Sequence, residues 1–252
     1  MKTNYNVCIT SGGTSEPIDT VRRITNTSTG RLGSKIADAF IEAGANVYYV
    51  YAKGSALPTL ACRQYEVDTV DSVSEVLTLL FDSVSFDVMI HAMAISDYEV
   101  DTISSLDAMS TSIHALLAQT PKPSQEEIKQ ALRDSKEPTR SKISSANKNL
   151  VLTLKQTPKV INQLKAKQPN VFLVGFKLLS NTNLESLKNA AFSQINQAGS
   201  DLVVANRLED IHHSEHIAYF IDKTGLIHQA HTKEEIASSL VQILYKKSKE
   251  SI

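Results

Sequence analysis

A doubly wound, mostly parallel α/β sheet is the fold this 252-residue sequence predicts, on three observations. Short apolar runs rich in β-branched residues alternate with helical patterns. The runs are nearly continuous in apolar character, as strands covered on both faces are. The alternation breaks once, between residues 100 and 149, where no strand-like run is read. In order, YNVCITS (5–11) reads as the first strand, followed by a polar loop and a helix from about Thr29 to Ala43. NVYYVYA (46–52) and the weaker CRQYEV (62–67) read as strands, then a helix near Ser72 to Phe81 and the strand FDVMIHAMA (86–94). The break holds two polar helical pieces, about Ser105 to Ala118 and Ser124 to Asp134, among Pro121, Pro123 and Pro138. Ser124 followed by Glu127 resembles a capping box. The alternation then resumes with the strand LVLTL (150–154), a helix from about Pro158 to Lys167, the strand VFLVGFKL (171–178), a helix near Leu184 to Ala198, and the strand DLVVAN (201–206). IAYFID, KTG and LIHQA form a hairpin, and KEEIASSLVQILYKK a terminal amphipathic helix. The expectation is one Rossmann-like domain over 1–252 with a C-terminal β-hairpin and a helical insert at about 100–149.

Composition narrows the function classes. Twenty-six Lys and Arg against 27 Asp and Glu leave a net charge of −1, so no global field attracts nucleic acid or an acidic membrane, and neither is expected as a partner. The only two cysteines, Cys8 and Cys62, fall in expected strands without metal or redox spacing, which predicts buried thiols in a reducing compartment. The chain enters a strand directly after MKTN, with no signal-length apolar region, and no segment approaches the roughly 18 apolar residues of a membrane span. A cytoplasmic protein is expected.

Ligands of an open parallel sheet bind beyond the carboxyl ends of the strands. The loop there after the first strand, SGGTSEPIDTVRRITNTSTG, is far longer than the half-dozen residues usual for such a crossing. Gly12 and Gly13 can expose consecutive amides beside Thr14, and Ser28, Thr29 and Gly30 place further amides at a helix start, where the dipole favours an anion. The loop is read as a phosphate cradle. Gly30 and Gly33 keep half of a dinucleotide fingerprint but its first glycine is absent, and no Gly-Lys-Ser/Thr of a Walker loop follows. The loops HAMAISDYE, GFKLLSNT and ANRLED end three later strands on the same side.

Together, ITSGGTSEPID, VRRITNTSTGRLG, AMAISDY, SKISS, LKQTPKVI, FLVGFKL and DLVVAN resemble the phosphopantothenoylcysteine synthetases, the phosphopantothenate-cysteine ligases of coenzyme A biosynthesis, in motif order from about Tyr5 to the terminal helix. The resemblance is to the free-standing bacterial form. It implies a two-step ligation of 4′-phosphopantothenate to L-cysteine through an acyl-nucleotide, with Mg²⁺ carried on the triphosphate, in a homodimer whose subunits share active sites. The loop wording EPIDTVRRITN follows bacterial members, which implies CTP as co-substrate.

The resemblance also implies roles. Asn26 contacts the reacting acyl group; Arg22 binds the substrate phosphate, a role Arg23 could share or take. Ala94 and Asp97 frame substrate and nucleotide, Phe176 lies beside the base, and Lys142, in an insert that is longer than the short bacterial flap, neutralises phosphate charge. Gly12, Gly13, Thr14, Ser28, Thr29, Gly30 and Asp97 contact the nucleotide. The cluster HHSEHI (212–217) has no third ligand at a recurrent spacing, so no dedicated metal site is expected. Two other classes fit the same sheet: an NAD(P)-binding reductase, disfavoured by the oversized first loop, and a nucleotide-binding scaffold without catalysis.

Overall fold

A computed structural model describes residues 5–136, 143, 149–212 and 215–250, the last three by their backbone. Their contacts divide the chain into two compact units. The first comprises residues up to 14, 26–95 and 159 onward; the second comprises 15–25 and 96–158. The segment expected as an insert is therefore the larger part of a unit that also takes in the middle of the first loop.

The first unit is an eight-stranded sheet. Its strands are β1 (Asn6–Ser11), β4 (Asn46–Ala52), β5 (Arg63–Val67), β6 (Val88–His91), β9 (Phe172–Leu179), β10 (Leu202–Arg207), β11 (Ala218–Asp222) and β12 (Gly225–Ala230), in the spatial order β12-β11-β10-β9-β6-β1-β4-β5. From β10 to β5 all neighbours are parallel, and the β11–β12 hairpin closes one edge antiparallel. Winding proceeds from β1 through β4 to β5 on one side, then returns to β6 on the other. The order thus reverses between β1 and β6, where such sheets place their ligand crevice.

Both faces are covered, which explains the continuous apolar strands. Along β1, Val7 and Ile9 face one cluster and Cys8 the other. Helices α1 (Arg31–Glu42) and α7 (Lys233–Glu250) supply Ile36, Phe40, Ile236 and Leu240 to the first face. Helices α2 (Val70–Ser83) and α5 (Ile161–Lys167) supply Val73, Leu77 and Leu164 to the second, and α6 (Leu184–Ala198) extends it with Leu187 and Ala191. Each large side chain so buried contributes about 1.5–3 kcal/mol. Local signals set the ends. Thr69 and Ser72 form a capping box that starts α2 before the expected residue, and α6 runs from its Asn183 cap to Gly199 in the left-handed region. Cys8 is buried, but Cys62 precedes β5 and is only half-buried, against expectation. Among the described residues no helix is long and apolar enough to cross a membrane.

The second unit corrects two expectations. Residues 98–105 form a strand, β7 (Tyr98–Ser105), which the polar YEVDTISS concealed, and β8 (Leu150–Gln156) pairs with it antiparallel rather than resuming the parallel sheet. Neither needs a continuous apolar run, because a two-stranded ribbon buries at most one face: Ile103 is buried while Leu150 and Leu154 stay exposed. The first loop is also not plain coil. Within it β2 (Ser15–Pro17) and β3 (Arg23–Thr25) form an antiparallel pair. The helices α3 (Leu106–Gln119) and α4 (Gln125–Asp134) lie where expected and bury no residue, and the capping box is present: Glu127 N–H donates to Ser124 Oγ while Ser124 N–H donates to the Glu127 carboxylate at 2.8 Å.

Candidate active site

At the switch point the ends of β1 and β6 run on into the loops. Gly13 bridges Ala94 in parallel register, the Ala94 N–H donates to Gly12 O at 2.8 Å, and the Thr14 N–H donates to Ala94 O at 3.1 Å. The chain returns from the loop at Asn26, whose N–H donates to Thr14 O at 3.2 Å and whose side-chain amide donates to Ala94 O at 3.1 Å. This return lies so close that a Cβ on Gly13 would overlap the Asn26 carbonyl oxygen. Thr14, Asn26 and Ala94 are thus gathered within hydrogen-bonding distance of one another at the carboxyl edge of the sheet.

Beside them lies the start of α1. Its N-cap, Gly30, has φ 70° and ψ 0°, a left-handed conformation that lacks any side-chain cap and costs a β-carbon strain. No acidic residue stands in the first turn. The N–H groups of that turn therefore keep their donor capacity and the positive end of the helix dipole is uncompensated, an arrangement suited to an anion. Ser11 Oγ donates to Gly30 O at 3.0 Å and fixes the helix start to the end of β1. Ser28 N–H donates to Asn26 O at 2.9 Å, and Thr29 O receives the Ala56 N–H at 3.0 Å. The loop after β4 thus forms a third wall that sequence reading missed. Its Ser55 side chain fills the space over the α-carbons of Gly12 and Gly30, and Ala56 is held further by the Tyr49 hydroxyl at 2.8 Å. Phe176 sits one residue past the Gly175–His91 register pair of β9 and β6, half-buried against the core on the α1 face.

The model of the DNA/pantothenate metabolism flavoprotein C-terminal domain matches residues 2–121 and 132–247. The chain belongs to this family. A solved member, the DNA/pantothenate metabolism flavoprotein from Streptococcus pneumoniae, superimposes with a TM-score of 0.81 at 32% identity, covering 96% of this chain and 99% of that one. The coenzyme A biosynthesis bifunctional protein CoaBC of Thermococcus kodakarensis is 35% identical over 81% of this chain and 41% of its own length. The phosphopantothenate–cysteine ligase 2 of Oryza sativa subsp. japonica is 26% identical over 98% of this chain and 81% of its own. The chain spans half or less of the first two curated relatives it matches, at 41% and 50% of their lengths.

The remaining residues that family resemblance singled out lie in the second unit. An Asx turn at Asp19 holds Arg22. Asp19, 8% exposed, accepts from Val21 N–H at 2.8 Å and Arg22 N–H at 2.7 Å through Oδ1, and from Ile143 N–H at 3.1 Å through Oδ2. Arg22 Nη1 donates to Asp19 Oδ2 at 3.0 Å. The Val21 amide first, then those of Ile143 and Arg22 and the Arg22 charge, hold the Asp19 carboxyl below its ordinary value against the opposing effect of burial. Asp19 was not picked out from the sequence; its only signal was an Asp two and three residues before Val21 and Arg22 in a polar loop. The two arginines differ. Arg23 spends its Nε and Nη2 on Ser15 within the β2–β3 pair, whereas among the described residues the side-chain contacts of Arg22 run through Nη1. Asp97 is exposed and its carbonyl receives the Thr157 N–H at 3.0 Å at the root of β7. Of SKISS only Ile143 is described; Lys142 lies outside the described residues.

Proposed function

We propose that this protein joins 4′-phosphopantothenate to L-cysteine, giving 4′-phosphopantothenoylcysteine. In the first step a carboxylate oxygen of phosphopantothenate attacks the α-phosphorus of CTP, the bond to the β-phosphate oxygen breaks, and pyrophosphate leaves. In the second, the amine of cysteine attacks the acyl carbon of the mixed anhydride, loses a proton, and expels CMP. The observation that carries this reading is the switch-point geometry of a chain in this family. A helix start with no side-chain cap and no acidic residue in its first turn lies beside an uncharged amide donor, Asn26, hydrogen-bonded within the same loop edge.

The chain's own residues account for the demands of such a reaction. The amides after Gly30 and around Gly12 and Gly13 neutralise triphosphate oxygens without a side-chain charge. The Asn26 amide can donate to an acyl oxygen without quenching the attacking carboxylate. Among the described residues the Arg22 guanidinium is engaged through Nη1 only, which leaves a fork suited to the phosphate of phosphopantothenate, so Arg22 rather than Arg23 is assigned to it. By family resemblance Phe176 is assigned to the base, Asp97 to substrate and nucleotide, and Lys142 to the phosphates, where an ammonium group offsets charge as pyrophosphate departs. Bound Mg²⁺ would screen the triphosphate charge. A homodimer is part of this reading, supported by Leu106, Leu117, Leu150 and Leu154, all exposed in the second unit. A cytoplasmic setting is part of it too.

Pyrophosphate release with phosphopantothenate and each of the four nucleoside triphosphates in turn tests the reading. Release fastest with CTP is expected. Equal or better kcat/KM with ATP overturns the choice of nucleotide, and release with none overturns the ligase.

A further inference from the structure

Two buried polar side chains that this chemistry does not use sit side by side beneath the switch point. Thr10 and His91 are register partners in β1 and β6, 0% and 7% exposed, with Thr10 Oγ1 2.9 Å from His91 Nδ1. The Met93 N–H donates to the same hydroxyl at 3.3 Å. Among the described residues the Thr10 hydroxyl has these two partners and no others. Its oxygen accepts from Met93, so its single proton has one buried destination, the ring nitrogen. Nδ1 is therefore an acceptor and the ring proton is on Nε2. Burial supports the same state, pushing the imidazole down to about 4, so it stays neutral at physiological pH.

The pair controls a short stretch of backbone. Ala92 N–H donates to Thr10 O at 3.2 Å, Met93 N–H to Thr10 Oγ1, and Ala94 N–H to Gly12 O, so three successive amides of β6 and its extension are tied to β1 and its extension. The middle tie alone depends on a side chain. The carbonyl of Ala94, one residue past Met93, is the acceptor of the Asn26 amide.

We propose that Thr10 and His91 are positioning residues for Asn26. The Nε2-protonated imidazole fixes the rotor of the Thr10 hydroxyl, the hydroxyl pins the Met93 amide, and the pinned peptide sets the direction of the Ala94 carbonyl that orients the Asn26 side chain. The effect on turnover rests on the ligase reading; the effect on the Asn26 side chain does not.

The test uses matched variants of each partner. His91→Asn keeps an acceptor oxygen where Nδ1 stands, while His91→Leu keeps bulk without the acceptor; Thr10→Ser keeps the hydroxyl and Thr10→Val removes it. His91→Leu and Thr10→Val should lower kcat on the order of 10- to 100-fold, as displaced catalytic groups do, with KM for the triphosphate within about twofold of wild type. His91→Asn and Thr10→Ser should recover most of the loss. In ¹⁵N spectra of the substrate-free protein, the His91 ring should show a bare Nδ1 and a protonated Nε2. The Asn26 side-chain amide signal should move in His91→Leu or Thr10→Val and return in the conservative variants. The proposal is overturned by a ring protonated on Nδ1, by an Asn26 signal that neither apolar variant moves, or by His91→Asn turning over no faster than His91→Leu. The spectra need no substrate, so they decide it even if the wild-type protein releases no pyrophosphate.

Discussion

The side-chain amide of Asn26 donates to the carbonyl oxygen of Ala94 across 3.1 Å, and that same carbonyl also receives the backbone N–H of Thr14. The acceptor is doubly satisfied, so removing the Asn26 amide leaves no orphaned carbonyl. Asn26→Ala should therefore lower kcat on the order of 10² or more, the cost of losing one well-placed donor, with little change in melting temperature. Near-normal turnover would return Asn26 to a turn residue, and so would a collapse in stability large enough to account for the lost activity.

Gly13 offers a complementary handle on the same contact. A Cβ there meets backbone, the Asn26 carbonyl, and backbone cannot swing aside as a flexible side-chain end can. Gly13→Ala should cost about 1–3 kcal/mol of stability and displace Asn26 as well, so both melting temperature and kcat fall. An unchanged melting curve would show that the loop return is looser than the packing implies.

The Asp19 turn should reveal itself in acid. Its folded-state pKa is depressed, so its stabilisation is complete above the unfolded value and is lost as pH falls through the depressed one. The stability advantage of wild type over Asp19→Asn should be level from pH 7 to about 5 and shrink below about 4, the ordinary range of a free aspartate. Denaturant titrations at stepped pH read it; a gap that stays constant into strong acid would mean the carboxylate charge does no work in the turn.

Arg22 and Arg23 are neighbours with different commitments. Arg22→Lys should raise KM for phosphopantothenate on the order of tenfold, because an ammonium cannot offer a bidentate fork, while KM for CTP and for cysteine stays near wild type. Arg23→Lys should have a smaller effect, since its guanidinium is already tied to Ser15. The opposite ranking would transfer the substrate phosphate to Arg23.

The first unit was legible in the sequence because its central strands are buried on both faces. NVYYVYA became β4 with the same ends, and α6 fell where its periodicity put it. The second unit hid its strands for the converse reason. A ribbon with one solvated face carries polar residues such as Glu99, Asp101 and Thr102, and YEVDTISS offers no apolar run to find. Among the site residues, the glycines stood out by their position after a strand, and Asn26 by the family resemblance of its loop. Asp19, Thr10 and His91 did not, because what marks them is a partner: a local turn for Asp19, and for the other two a register between strands that no spacing along the chain reveals.

The order of strands also bears on how the protein acquires its structure. The strand β6 pairs with β1 on one side and with β9 on the other, and between β6 and β9 the chain inserts residues 96–158 of the second unit. As the chain emerges from the ribosome, β5, β4, β1 and β6 are complete while the far side of β6 still lacks its neighbour. That bare apolar edge must wait until Phe172–Leu179 has been made. Closure of the sheet is then a late step across a long sequence separation, and the switch-point crevice is lined by β6 before the strand that bears Phe176 arrives.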